Sequence, residues 1–207
     1  PAATPRASAS VKPGINDSYI DADVSQWVER FEREGREVFE QRHAIVDACG
    51  LRRGQDVADI GAGTGLFVPL LADAVGPDGA VYAVDIVPEF VEHLGAEARR
   101  IGRSNVHAVL CTDRSVALPA NSIDLAFTCD TYHHFEYPAD TLASIHEALR
   151  PGGLLVVVDF ERIEGVSSAW ILDHVRAGRE TVTAEIVAAG FDPAGEWDGL
   201  EDNYLLR

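Results

Sequence analysis

The 207-residue chain has no methionine, only three cysteines and 17 basic against 34 acidic side chains, and each shortage excludes something. Cys49, Cys111 and Cys129 are far apart in sequence, so neither a disulfide framework nor a zinc site is indicated, and they read as small apolar core residues. The formal net charge of −17 repels phosphate backbones and anionic lipid surfaces. No basic patch compensates, since Arg52-Arg53 and Arg99-Arg100 are isolated pairs. Neither a nucleic-acid partner nor a membrane partner is therefore expected. No uninterrupted apolar run is long enough to span a bilayer. A cytoplasmic location is expected, with an exported form after signal-peptide removal as the alternative. The lack of methionine and the start at Pro1 are expected to reflect loss of the natural N-terminus by processing or engineering.

What is present suits one globular domain: 46% hydrophobic and 25% charged residues can build a core at this length. Residues 1–14, with Pro1, Pro5 and Pro13 among small polar residues, are expected to form a flexible arm. Residues 15–50 are expected to form an N-terminal helical cap. There Val24, Trp27, Val28 and Phe31 recur at helical spacing after an Asp-rich start, and a second pattern through Val38, Phe39, Ile45 and Val46 closes at Cys49-Gly50. From residue 51 to 207 strands and helices alternate, which predicts an open parallel sheet with helices on both faces. Strands are expected over 56–60, 80–85, 106–111, 122–128 and 154–160, followed by helices near 168–176 and 181–189 and two short terminal strands.

The stretch Val57-Ala58-Asp59-Ile60-Gly61-Ala62-Gly63-Thr64-Gly65 is an apolar run entering three alternating glycines, with a helix-like segment from Leu66. Glycine permits a sharp turn and close approach of backbone to a ligand, and the start of the next helix offers unpaired N–H groups. A dinucleotide fingerprint requires a glycine at position 66, where this chain has Leu. The pattern is instead G-x-G-x-G, so a nicotinamide oxidoreductase is disfavoured. Asp85 closes the second strand, where an acid can accept both hydroxyls of a ribose, and Ile86 beside it can pack on an adenine ring. Asp113 follows the third strand, and Leu149-Arg150-Pro151-Gly152-Gly153 precedes the fifth.

Together these four features resemble the class I S-adenosylmethionine-dependent methyltransferases from about residue 45 onward, and are most similar to the small-molecule branch that includes the ubiquinone/menaquinone-biosynthesis methyltransferases. The resemblance implies a Rossmann-like, doubly wound α/β fold: a mostly parallel seven-stranded sheet with an antiparallel last strand, in three α/β/α layers. It implies S-adenosyl-L-methionine as cofactor. It places Asp59, Gly61, Gly63 and Gly65 at the methionine end, Asp85 at the ribose and Asp113 at the adenine. Ala62, Ile86, Thr112, Arg114 and Cys129 are counted with the same cofactor-binding set.

Acceptor chemistry is expected past the fourth strand, in Cys129-Asp130-Thr131-Tyr132-His133-His134-Phe135, because ligands of open parallel sheets sit beyond the carboxyl ends of the strands. Methyl transfer from a sulfonium needs an aligned nucleophile and removal of its proton. His133 or His134 is the candidate base, with Asp130 and Tyr132 beside them; a structural or substrate-shaping role is the alternative. No metal is assigned. A metal-dependent, catechol-type reading would use Asp130 and Asp159 with an imidazole, whereas the plain reading leaves Asp159 and Glu161 facing solvent. Trp170 and His174 share one helix face, lining either a substrate pocket or a packed interface. A small-molecule acceptor is the expected partner, a cofactor-binding protein without transfer activity is the competing class, and oligomeric state is left open.

Overall fold

The computed structural model describes residues 8–207. Its centre is a parallel sheet of β1 (Val57–Ile60), β2 (Val81–Asp85), β3 (Val106–Leu110), β4 (Ile123–Cys129) and β5 (Leu149–Phe160). These strands are apolar runs because helices cover both of their faces. Two short strands, β6 (Glu196–Trp197) and β7 (Asn203–Leu206), complete the order β3-β2-β1-β4-β5-β7-β6, with β7 antiparallel to both neighbours. Alternation sorts β5 into two cores: Val156 and Val158 face one side, Leu155 and Val157 the other. The first side is closed by α3 (Arg42–Cys49), α4 (Val68–Val75) and α5 (Pro88–Arg100), through Ile45, Leu71 and Leu94. The second is closed by α6 (Pro138–Ala148) and α8 (Arg179–Ala188), through Leu142, Ile145 and Val182. The three-layer, seven-stranded architecture is the one expected. Among the described residues no helix is long and apolar enough to cross a membrane.

The N-terminal section holds α1 (Val24–Phe31) and α2 (Glu37–Glu40). The Asp23 side chain caps α1 by accepting from the Ser25 amide at 3.1 Å. The second expected helix is split at Gln41, which ends α2 and precedes α3.

Three local expectations are corrected. Leu149–Gly153 does not precede the fifth strand; it forms the start of β5. Ile123 pairs with Leu149 and Leu125 with Leu154, so five steps on β5 oppose two on β4 in a bulge. The bulge is pinned by Arg150, which bonds Asp56 and Asp124 at 2.8 Å each. Of the expected flexible arm, residues 1–7 lie outside the described residues, and residues 8–14 are docked. The Val11 amide donates to the Glu136 carbonyl at 3.0 Å, and Lys12 Nζ donates to the carbonyls of Asp173 (2.8 Å) and His174 (3.0 Å). Those carbonyls end α7 (Ala169–His174), where acceptors lack helical partners and a cation is favoured.

Tyr132, expected among the catalytic residues, is instead fully buried in the second core. Its hydroxyl donates to Glu185 Oε2 at 2.9 Å, and Arg176 grips the same carboxylate with two bonds of 2.9 Å. The phenol thus points away from the ends of β1 and β4. Tyr132→Phe is expected to cost about 1 kcal/mol in urea unfolding, the net worth of one such bond, and to leave cofactor affinity unchanged in calorimetry; a loss of affinity would return the residue to the site.

Candidate active site

Strand order reverses between β1 and β4, and this switch opens a crevice at their carboxyl ends. The turn after β1 is fixed by the amides of Gly61 and Ala62, which both donate to the Val84 carbonyl at 2.8 and 3.0 Å. Gly61 has φ +73°, and a Cβ there would lie 2.1 Å from Thr131 Cγ2, so the two loops of the crevice meet closely enough to demand glycine. Gly63 N donates to Asp85 Oδ2 at 2.8 Å and Val87 N to Asp85 Oδ1 at 2.9 Å. Asp85 is thereby the tether of the glycine loop as well as a cavity wall, and each of its oxygens keeps one lone pair. Its carboxyl is held above the usual range by burial, against these backbone bonds, which pull it down.

A cavity at this crevice brings together most of the predicted cofactor residues: Asp59, Gly61, Ala62, Gly63, Asp85, Ile86, Thr112, Asp113 and Cys129 all line it. Gly65 does not line it. A Cβ there would come within 2.9 Å of Leu94 Cδ2, so this glycine serves the packing of α5. Arg114 is the clear misplacement. Its guanidinium pairs with Asp140 and lies 3.4 Å over the Tyr137 ring, so α6 draws it away from the cavity. Asp59 is buried, and its Oδ2 has no hydrogen-bond partner among the described residues. Burial, with the nearby Asp85 charge second, pushes its carboxyl up to about 7.

The loop after β4 forms a second cavity. Asp130 adopts φ +48°, unusual for a residue with a side chain. Its carboxylate accepts from Arg36 Nη2 and Asn203 Nδ2, both at 2.6 Å. Burial pushes it up to about 6, with Arg36 pulling the other way. Asp159 does not face solvent as expected. It is buried and accepts from the His133 amide (2.9 Å) and the Phe160 amide (2.8 Å), while its Oδ1 lies 2.7 Å from His133 Nδ1. With Asp130 held by Arg36 and Asn203, and Asp159 by His133, the two carboxylates are not open to share one cation, which removes the ligand set of the catechol-type alternative.

His134 places Nε2 3.3 Å from the Tyr19 hydroxyl, and its Nδ1 is buried with no partner among the described residues. Burial, then the neighbouring His133 and His174, pushes the ring down to about 2, so it is unprotonated at neutral pH. His174 stacks on Trp170 at 4.7 Å and is pushed down to about 4, first by burial and then by His133. Both residues line the second cavity with His133 while stacking on each other, so this helix face is packed and also borders a cavity.

The two cavities share a wall of Tyr19, Phe31, Arg36, Val38, Asp130 and His134. Four of these come from the N-terminal section and carried no functional motif; Phe31 and Val38 were legible only as apolar positions of helical patterns. The section is also hooked to the glycine loop by Thr64 Oγ1, which donates to Glu32 at 2.7 Å.

Comparison with known proteins places this geometry. A family model described as a methyltransferase domain matches residues 58–157, the span from β1 through most of β5. The ubiquinone/menaquinone biosynthesis C-methyltransferase UbiE of Escherichia fergusonii is 30% identical over 128 residues, covering 60% of this chain and 51% of that protein. An uncharacterized 37.1 kDa protein in a Streptomyces fradiae transposon is 35% identical over 116 residues, 56% of this chain and 33% of that protein. The chain thus spans about half or less of the length of these curated relatives. Among solved structures, a SAM-dependent methyltransferase from Aquifex aeolicus superposes with a TM-score of 0.79 at 24% identity, covering 89% of this chain and 97% of that one. Residues 58–157 thus form a methyltransferase domain, and the glycine loop tethered by the acid of β2, the crevice at the β1/β4 switch and the reversed β7 give the chain the class I S-adenosylmethionine-dependent methyltransferase fold.

Proposed function

We propose that this chain transfers the methyl group of S-adenosylmethionine to a small-molecule acceptor held by the loop at 129–135. The shared wall carries the reading: a donor lying in the first cavity and an acceptor in the second would meet at Asp130 and His134. The name of the Escherichia fergusonii relative, a C-methyltransferase of quinone biosynthesis, supports a small acceptor. So does the net charge of −17, which opposes phosphate-bearing polymers.

The first cavity fits the donor on two observations. The orphaned, buried Oδ2 of Asp59 lacks a cationic partner, which the donor's ammonium end would provide. Gly63 lines this cavity at φ +54°, a conformation that disfavours any side chain, so bare backbone is the surface that a ligand meets. Asp59 and the Gly61–Gly63 turn would hold the methionine end, Asp85 the ribose, Ile86 the adenine face, and Thr112 and Asp113 the adenine edge. Bound there, the donor supplies an electrophilic methyl on a sulfonium. The chain's own residues must align the acceptor and accept its proton. His134 lies at the wall between the cavities, so by position it is the group placed to take it, and the bound ligands must raise its basicity from the low ligand-free value that burial imposes. Asp159 fixes the ring of His133, and Arg36 and Asn203 fix Asp130. Residues 15–50 act as the cover of both cavities.

The test is formation of S-adenosylhomocysteine with a panel of small phenolic, enolic and amine acceptors. Donor binding without product from any acceptor would leave a sensor or scaffold.

His134→Ala should lower kcat roughly 100-fold, the usual worth of a general base, while donor affinity by calorimetry stays within about threefold; unchanged turnover would remove the base. Asp85→Ala should weaken donor binding at least tenfold, because both the ribose acceptor and the loop tether are lost. Asp59 gives a pH signature. Its folded, ligand-free carboxyl titrates near 7 rather than near 3.8, so the folded form binds more protons than the unfolded form between those values. The Asp59 contribution to the stability of the ligand-free protein should therefore fall as pH rises from 4 through 7, read as the difference between the parent and Asp59→Asn, because Asp130 shares its sign and His134 and His174 oppose it. Donor affinity should rise over pH 5.5–8 with release of a proton, read as a buffer-dependent binding enthalpy, and Asp59→Asn should abolish that release.

A further inference from the structure

The mechanism above uses one imidazole of the acceptor cavity and leaves two beside it. His133, His134 and His174 come from the short turn after β4 and from the end of α7, some forty residues apart in the chain. Each offers a ligand atom, and these atoms lie within 4.8 Å of one another. The rings are mutual neighbours, with centroids 4.3 Å apart for His133 and His134 and 5.0 Å from each to His174. No hydrogen bond joins them among the described residues, so mutual bonding does not explain the cluster.

Each ring is positioned from outside. His133 Nδ1 is engaged by Asp159, leaving Nε2 to offer. This is the arrangement in which a carboxylate orients a ligating imidazole. His134 Nδ1 is buried and unpartnered among the described residues, which is costly for a polar atom unless something fills its lone pair. His174 is set by its stack on Trp170 and by Lys12, which bonds the carbonyl of His174 itself.

We propose that His133, His134 and His174 form a site for one borderline divalent cation of the Zn²⁺, Co²⁺ or Fe²⁺ type, at the wall of the acceptor cavity. Three imidazoles suit these ions better than the hard, oxygen-seeking Mg²⁺ or Ca²⁺. Modest rotation of the rings would bring their nitrogens to roughly 3.3 Å from one another, the separation set by metal–nitrogen bonds of about 2.1 Å. Three protein ligands leave a coordination position open, and it faces the cavity that also holds Arg30 and Arg36. The acceptor class that fits is an anionic oxygen donor, such as an enolate, phenolate or carboxylate, bound to the cation and paired with an arginine. This role rests on the acceptor reading above and deepens it: with the cation present, His134 is a ligand and the cation holds the acceptor in its ionised form. The binding of the cation itself does not depend on that reading.

The experiment uses the untagged full chain after chelation, titrated with Zn²⁺ by calorimetry and with Co²⁺ by visible absorption. One ion per chain is expected, with Co²⁺ bands of a low-coordinate nitrogen site. His174→Ala and His133→Ala should each weaken Zn²⁺ binding roughly 100-fold or more, and Asp159→Asn about 10- to 100-fold, the effect of losing an orienting carboxylate. Donor affinity of His174→Ala, measured in parallel, should stay within about twofold, which shows that the variant is folded; His174→Gln serves if it is not. Absence of saturable binding, or equal binding by the parent and His174→Ala, would overturn the site. Failure to bind donor would instead sink the methyltransferase reading, so the two outcomes are separable.

Discussion

One buried carboxylate bonded by two backbone amides holds the crevice together. Asp85 accepts from Gly63 and Val87, so the end of β2, the glycine loop of β1 and the entry to α5 are a single hydrogen-bonded unit. The first cavity has its shape because those three segments cannot move separately. The same carboxylate raises the electrostatic cost of its neighbour Asp59, so the force that builds the loop also makes the cavity short of positive charge.

The second cavity is built in the opposite way. Its acids Asp130 and Asp159 are already compensated, by Arg36 with Asn203 and by His133, and the rest of the lining is largely aromatic and imidazole surface with three arginines, Arg30, Arg33 and Arg36. Asp130 adopts a left-handed conformation, held there by its salt bridge, by the Asn203 bond and by the pairing of its amide with the Val158 carbonyl. Such strain persists only where the surroundings over-determine it, and it gathers at functional sites.

The sheet was legible because its strands are apolar runs punctuated by Gly and Pro, a signal carried within a few residues. The glycine loop, Asp59, Asp85 and Asp113 were legible for a similar reason: backbone approach and strand ends dictate residue types locally. Tyr132, Arg114 and Asp159 were misplaced because their roles depend on distant partners. Glu185 turns Tyr132 inward, Asp140 and Tyr137 draw Arg114 aside, and the ring of His133 keeps Asp159 from solvent. Arg36 carried no local signal at all, lying between two short helices. The meeting of His174 with His133 and His134 needed α7 to be placed over the end of β4, which no spacing in the sequence specifies.

Contacts between the two ends of the described chain bear on how the molecule is made. Lys12 reaches residues 161 and 162 positions away, and Glu37 accepts from the amides of Asp202 and Asn203 at 2.9 Å across more than 160 positions. Asn203 in turn holds Asp130. As the polypeptide leaves the ribosome, α1 and α3 can dock early on α5 and α4, whereas the Lys12 and Glu37 contacts wait until α7 and β7 have been made. The second cavity, whose wall includes His174 and Asn203, is therefore the last part of the molecule to be completed during synthesis.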